Sequence, residues 1–140
     1  MVSIPSEQGV ERSLLSWLDG VGWETHGQDG GRGANVLDEA YERDSHEVIY
    51  WNLLAEQVVA LNEAVTEDNA DKFVSSLRRN LDAENLMDGN RAFYQLLTKG
   101  KTFNVQRDDG ATDTIYVDLI DYENPENNRF HAVNQFSVSR

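Results

Sequence analysis

The chain has 140 residues, with 25 acidic against 12 basic side chains, a net charge of −13 and no cysteine. That length suits one domain with its own core, and the missing cysteines exclude disulfide frameworks, Cys-based zinc sites and thiol nucleophiles. The basic residues are scattered, with Arg78-Arg79 the only adjacent arginines, so the bulk field excludes general nucleic-acid binding.

Along the chain, Ser6 can cap a first helix whose opening turn carries Glu7. Val10, Leu14, Trp17 and Leu18 recur at helical spacing, and Gly20 and Gly22 stop the helix. Trp23 begins a short extended piece. Thr25 to Ala34 holds four glycines without apolar periodicity and reads as a mobile loop. Asp44 with Glu47 resembles a capping box that opens a second helix along Val48, Trp51, Leu54, Val58 and Leu61. Thr66 caps a third, which buries Ala70, Phe73, Val74, Leu77 and Leu81. A fourth, from about Leu86 to Lys99, buries Phe93, Leu96 and Leu97 and ends at Gly100.

From there the period changes to two. Phe103 and Val105 precede Asp108-Asp109-Gly110, a hairpin signal. Ile115, Val117 and Leu119 share one strand face. After an Asn/Pro-rich loop, Phe130, Ala132, Phe136 and Val138 share one face of another strand, with Asn134 among them. Helices followed by an antiparallel β-meander give an α+β fold over a single domain, residues 1–140. No apolar run is long enough to span a membrane and no signal peptide opens the chain, so a soluble, cytoplasmic protein is expected.

The acidity has two readings. One is a surface that mimics DNA or docks on a basic partner. The other is adaptation to salt, since many carboxylates with only three lysines resemble the composition of proteins from salt-loving archaea. The acids are dispersed from Glu7 to Glu126 without a run of five, which fits a solvated surface better.

Local motifs add little chemistry. Gly100-Lys101-Thr102 has the ending of a P-loop, but Gln95 stands where its first glycine belongs and the strand–helix order is reversed. The loop from Gly27 to Gly33 has the composition of a phosphate cradle, yet lacks G-x-G-x-x-G spacing and reads as a surface loop. His26, His46 and His131 are far apart, and no local pattern supports a metal site or a catalytic triad. His131 should lie opposite the apolar face of its strand, solvated or hydrogen-bonded, and His26 in the loop. Asp118 and Asp121 point to opposite faces and cannot chelate one ion; Asp121 should cap the loop through the Glu123 or Asn124 amide. Asn134 falls on a core face, where its amide must find partners, as a hydrogen-bond bracket holding neighbouring strands.

Taken in order, the segments resemble the beginning of the restriction (R) subunit of type I restriction-modification enzymes. The similarity runs through S-E-Q-G-V-E from Ser6, Trp17-Leu18 and Gly22-Trp23, and His26-Gly27. It continues through Glu47-Val48-Ile49, Ala60-Leu61-Asn62, and Asn90, Phe93, Leu96 and Gly100. Its most specific part is L-I-D-Y-E-N-P-E-N-N-R-F-H-A-V-N-Q-F, from Leu119 to Phe136.

The resemblance implies the first part of a restriction-endonuclease-like, PD-(D/E)xK domain ahead of an ATP-driven translocase. In that family an Asp and a Glu-x-Lys pair hold magnesium and activate water for phosphodiester hydrolysis. The family places them after the N-Q-F segment, whereas this sequence ends four residues after Phe136 and contains no D/E-x-K. Glu11 alone matches an acidic position that in such nucleases lies beside the metal site, and it is the candidate catalytic residue.

No cofactor site is expected in the chain itself. Mg²⁺ and ATP are expected for a full-length parent that cleaves foreign DNA in host defence, with DNA and the modification and specificity subunits as partners. The chain alone should be inactive. The competing reading is a stand-alone, non-catalytic interaction module that binds or inhibits restriction-modification subunits.

Overall fold

In the computed structural model, which describes residues 6–83 and 85–139, five α-helices and four strands mix as an α+β protein. They fall into two units, one within residues 1–50 and 129–140, the other Trp51–Asn128.

The first unit begins where the Ser6 hydroxyl accepts from the Gly9 amide at 3.0 Å and starts α1 (Glu7–Gly20). The buried side of α1 is not the hydropathy stripe. Leu15 is 5% exposed, whereas Val10, Leu14 and Trp17 are 54%, 56% and 64% exposed. Hydropathy selects the wrong helical face because the inward face carries a half-buried carboxylate, Glu11, one turn before Leu15. The short extended piece after Trp23 is β1 (Glu24–His26), and the glycine-rich loop delivers the chain into α2 (Gly33–Ala40). That helix went unread in the sequence. Only Gly33, Ala34 and Leu37 are buried along it, too few to show a period.

Asp44 and Glu47 do meet as in a capping box, with the Asp44 amide 3.4 Å from Glu47 Oε2. They close one isolated turn, with Glu47 N donating to Asp44 O at 3.0 Å, and no helix follows until Trp51. The reason is a competing acceptor role: the Glu47 carbonyl takes the Arg43 guanidinium instead of continuing a helix. Val48 consequently stays 67% exposed. β4 (His131–Val133) pairs with β1 in parallel, Glu24 opposite His131, Thr25 opposite Ala132 and His26 opposite Val133. The antiparallel meander therefore does not form: the strand expected to extend it has β1 as its partner. β4 also stops before Asn134, because Gln135 adopts φ 59° and breaks the alternation that pointed to a strand through Val138.

In the second unit, α3 (Trp51–Leu61), α4 (Glu67–Ala83) and α5 (Leu86–Lys99) enclose a core of Val58, Phe73, Leu77, Leu96 and Val117. Thr66 caps α4 through the Asn69 amide at 3.2 Å, and Asn85 caps α5 through Asp88 N at 3.0 Å. Gly100 ends α5, and the antiparallel hairpin β2 (Lys101–Gln106) and β3 (Thr112–Val117) turns at Asp108-Asp109-Gly110. The P-loop-like residues are thus a helix stop and a strand start.

Buried Asn62 brackets α3 to the end of β3, accepting from Asp118 N at 2.8 Å and donating to Asp118 O at 2.8 Å. Asp121 caps the following loop as expected, accepting from the Asn124 and Glu123 amides at 2.9 and 3.1 Å. Those amides hold its carboxyl below the ordinary range.

The register of α1 is testable on adjacent leucines. Leu15→Ala should cost roughly 2–5 kcal/mol in urea unfolding, and Leu14→Ala less than about 0.5 kcal/mol. Equal losses at both positions would contradict the assignment of the buried face.

Candidate functional site

A glycine-lined notch in the first unit gathers the residues that carry the family resemblance. α1 presents Glu11, Asn134 and Gln135 directly follow β4, and the loop between β1 and α2 supplies backbone. The Asn134 side-chain amide satisfies all three at once. Its Nδ2 donates to Glu11 Oε2 at 3.1 Å and to Gly31 O at 3.0 Å, while Oδ1 accepts from Gly33 N at 2.6 Å. Gln135 Nε2 donates to the other Glu11 oxygen at 2.6 Å.

Two glycines make room for this amide. A Cβ at Gly27 would lie 2.0 Å from Asn134 Oδ1, and one at Gly33 would lie 2.0 Å from the His26 carbonyl oxygen. The loop is therefore glycine-rich because it wraps a side chain. The Asn134 amide does find partners, but it joins α1 and the glycine loop and not neighbouring strands as expected, because both lie against the end of the chain's last strand.

Glu11, the candidate catalytic residue, thus lies in the notch with both its oxygens engaged by amides. Among the described residues no group of three or more His, Asp or Glu side chains is placed to hold a metal ion.

The segment after Asn134 is anchored by Arg43, whose side chain is 2% exposed. Its guanidinium donates to both Asp38 oxygens at 2.7 and 2.9 Å and to the Ser137 carbonyl at 2.9 Å, and lies 4.3 Å from the Phe136 ring centre. Tyr50 adds its hydroxyl to Asp38 at 2.8 Å. Arg43 holds the Asp38 carboxyl below the ordinary range, and burial pushes the Tyr50 hydroxyl up to about 12. Sequence reasoning missed this cluster. Asp38 and Arg43 are five apart, a spacing that no helical or strand period marks.

The β1–β4 pair carries a second ion pair. Arg129 grips Glu24 with two bonds of 2.7 and 2.9 Å and holds its carboxyl low, and its third nitrogen reaches the Tyr41 hydroxyl at 3.3 Å. His131 departs from expectation. Its side chain is only 12% exposed, neither ring nitrogen makes a hydrogen bond among the described residues although Nε2 lies 3.3 Å from Glu24 Oε2, and the ring stacks on His26 at 6.1 Å. The reason is the parallel pairing: residues throughout β4 are partly buried, so alternation no longer marks a solvent face.

Burial lowers the His131 pKa from its ordinary value, opposed by Glu24 and reinforced by Arg129 and His26. The unfolded chain then takes up this proton more readily than the folded one. The His131 contribution to stability should be complete above pH 6.5 and lost as pH falls below it, through the folded-state pKa. Urea unfolding between about pH 7.5 and pH 5 should show a larger loss for the native chain than for His131→Gln. Parallel losses would contradict this.

The family described as type I restriction enzyme R protein N terminus matches residues 4–140. The chain is 32% identical over 135 residues to the type I restriction enzyme HindI endonuclease subunit of Haemophilus influenzae, covering 95% of this chain and 12% of that protein. It is 28% identical over 130 residues to a protein of Methanocaldococcus jannaschii provisionally named the type I restriction enzyme MjaIXP endonuclease subunit, covering 92% and 12% respectively. The chain thus spans about an eighth of the length of these curated relatives. No solved structure gives a significant match. With a family match over residues 4–140 that takes in the whole Glu11–Asn134 notch, the chain belongs to the type I restriction enzyme R protein N-terminal family.

Proposed function

We propose that this chain is the supporting half of a PD-(D/E)xK nuclease domain, in a cytoplasmic R subunit that cleaves foreign DNA. The observation that carries the proposal is the Glu11 carboxylate, held by Asn134 and Gln135 of the N-Q-F segment inside a span that matches the family. Two directed amides fix the orientation of a carboxylate without neutralising it, a property suited to a group beside a reacting centre.

The residues present do not complete a magnesium site. Mg²⁺ is held through one or two carboxylates with waters and substrate oxygens, and Glu11 supplies a single carboxylate already bonded on both oxygens. Hydrolysis therefore requires groups beyond those of this chain, which alone should be inactive. ATP use and contacts with the modification and specificity subunits belong to the proposed parent. The charge of −13 suits solubility at high salt.

A second reading, a non-catalytic module that binds the modification and specificity subunits, draws on the exposed row Val10, Leu14, Trp17 and Val21 of α1 and its end.

The source locus beyond codon 140 separates the readings. The nuclease reading expects the frame to continue into an Asp and a Glu-x-Lys; an immediate stop codon would remove it and leave the interaction module. Plasmid incubated with the purified chain and Mg²⁺ at high salt should stay uncut. Reproducible cutting that disappears in Glu11→Ala would overturn the inactivity of the isolated chain.

A further inference from the structure

The cations of the first unit are few, and their placement is uneven. Arg43 is neutralised by Asp38 and Arg129 by Glu24. Among the described residues Arg12 and Arg32 take part in no ion pair, and both border the glycine loop. The Arg12 guanidinium lies against Gly30 so closely that a Cβ there would sit 2.1 Å from Nη2. Arg32 leads into α2, and only its Nη2 is engaged, by the Gln135 carbonyl and the Ser137 hydroxyl, each at 3.2 Å.

Beside Arg32 lies a cavity of about 390 Å³, lined also by His26, Gln28 and loop backbone, while Arg12 meets the same loop at Gly30. The N–H groups of Gln28, Asp29 and Arg32 donate no hydrogen bond among the described residues, whereas those of Gly30, Gly31 and Gly33 are satisfied within the fold. Asp29 also lines the cavity, but its Oδ1 is turned onto the Gly31 amide. Loop amides that make no hydrogen bond among the described residues, with the Arg32 guanidinium at the cavity and that of Arg12 beside Gly30, are the chemistry that receives a phosphate oxygen.

We propose that the loop from Gly27 to Gly33, with Arg12 and Arg32, is a contact site for a DNA backbone phosphate. The assignment rests on the nuclease reading. The loop is joined to the candidate carboxylate, since one Asn134 nitrogen donates to both Glu11 Oε2 and Gly31 O. A phosphodiester seated on the loop is thereby brought next to Glu11. In a chain of net charge −13 such a contact must be local, weak and steeply dependent on salt.

The test is a nuclear magnetic resonance titration of the isotope-labelled chain with a short DNA duplex at about 20 mM salt. Expected are shifts centred on the amides of residues 27–33, and affinity about tenfold weaker in Arg12→Ala/Arg32→Ala, with a salt slope lower by roughly 2. Arg12→Gln alone should weaken binding about threefold, and it leaves the Arg32 contacts in place. Arg78→Ala/Arg79→Ala should change nothing. Shifts centred elsewhere, equal binding by the arginine variants, or no binding at this salt would overturn the assignment. Inorganic phosphate that competes as well as DNA would reduce the site to a simple anion contact and also overturn it. In each of these cases the family match over residues 4–140 stands, and the locus beyond codon 140 still decides the nuclease reading.

Discussion

One primary amide, that of Asn134, sets the geometry of the first unit. Its oxygen and nitrogen are shared among α1, the glycine loop and the start of α2. A part-buried amide of this kind is tolerated only when its bonds are made, because an unmade one costs about 1–3 kcal/mol. That constraint propagates outwards. It requires glycine at positions 27 and 33, and it holds the side of α1 bearing Glu11 against the loop. Gln135, held at φ 59°, completes the grip on Glu11.

Arg43 plays the corresponding part for residues 136–139. A guanidinium 2% exposed must be neutralised and fully bonded, and Asp38 with the Glu47 and Ser137 carbonyls meets that demand. The Ser139 amide adds a bond of 2.7 Å to the Ser45 carbonyl. Irregular backbone after β4 is thus tied to irregular backbone before α3 by side-chain chemistry, in place of the strand that alternation suggested.

The second unit was largely legible from sequence. Its helices follow clean apolar periods, Thr66 and Gly100 bound them as expected, and the Asp121 loop cap followed from the cost of an unpaired carboxylate. The first unit was less so, for a common reason: polar residues occupy its inward positions. Hydropathy placed Val10, Leu14 and Trp17 inside because it discounts Glu11, and it gave no sign of Arg43 because that residue's partners lie in carbonyls and in Asp38. β4 misled because a strand partly buried throughout and ended by a left-handed residue mimics a longer amphipathic one. The composition of the glycine loop was noticed, but its purpose was visible only once Asn134 stood inside it. Glu11 and Asn134 were both singled out from sequence, one by resemblance and the other by its place on an apolar face; their direct bond was not.

The most direct test of the central constraint is Asn134→Asp, which keeps shape and removes the two donated bonds. The account predicts a loss of at least about 2 kcal/mol in urea unfolding, because a carboxylate would face Glu11 and the Gly31 carbonyl. Amide exchange should also quicken at Gly33, whose N–H the Asn134 oxygen now accepts. An Asn134→Asp chain as stable and as protected as the native one would contradict the claim that this amide organises the site.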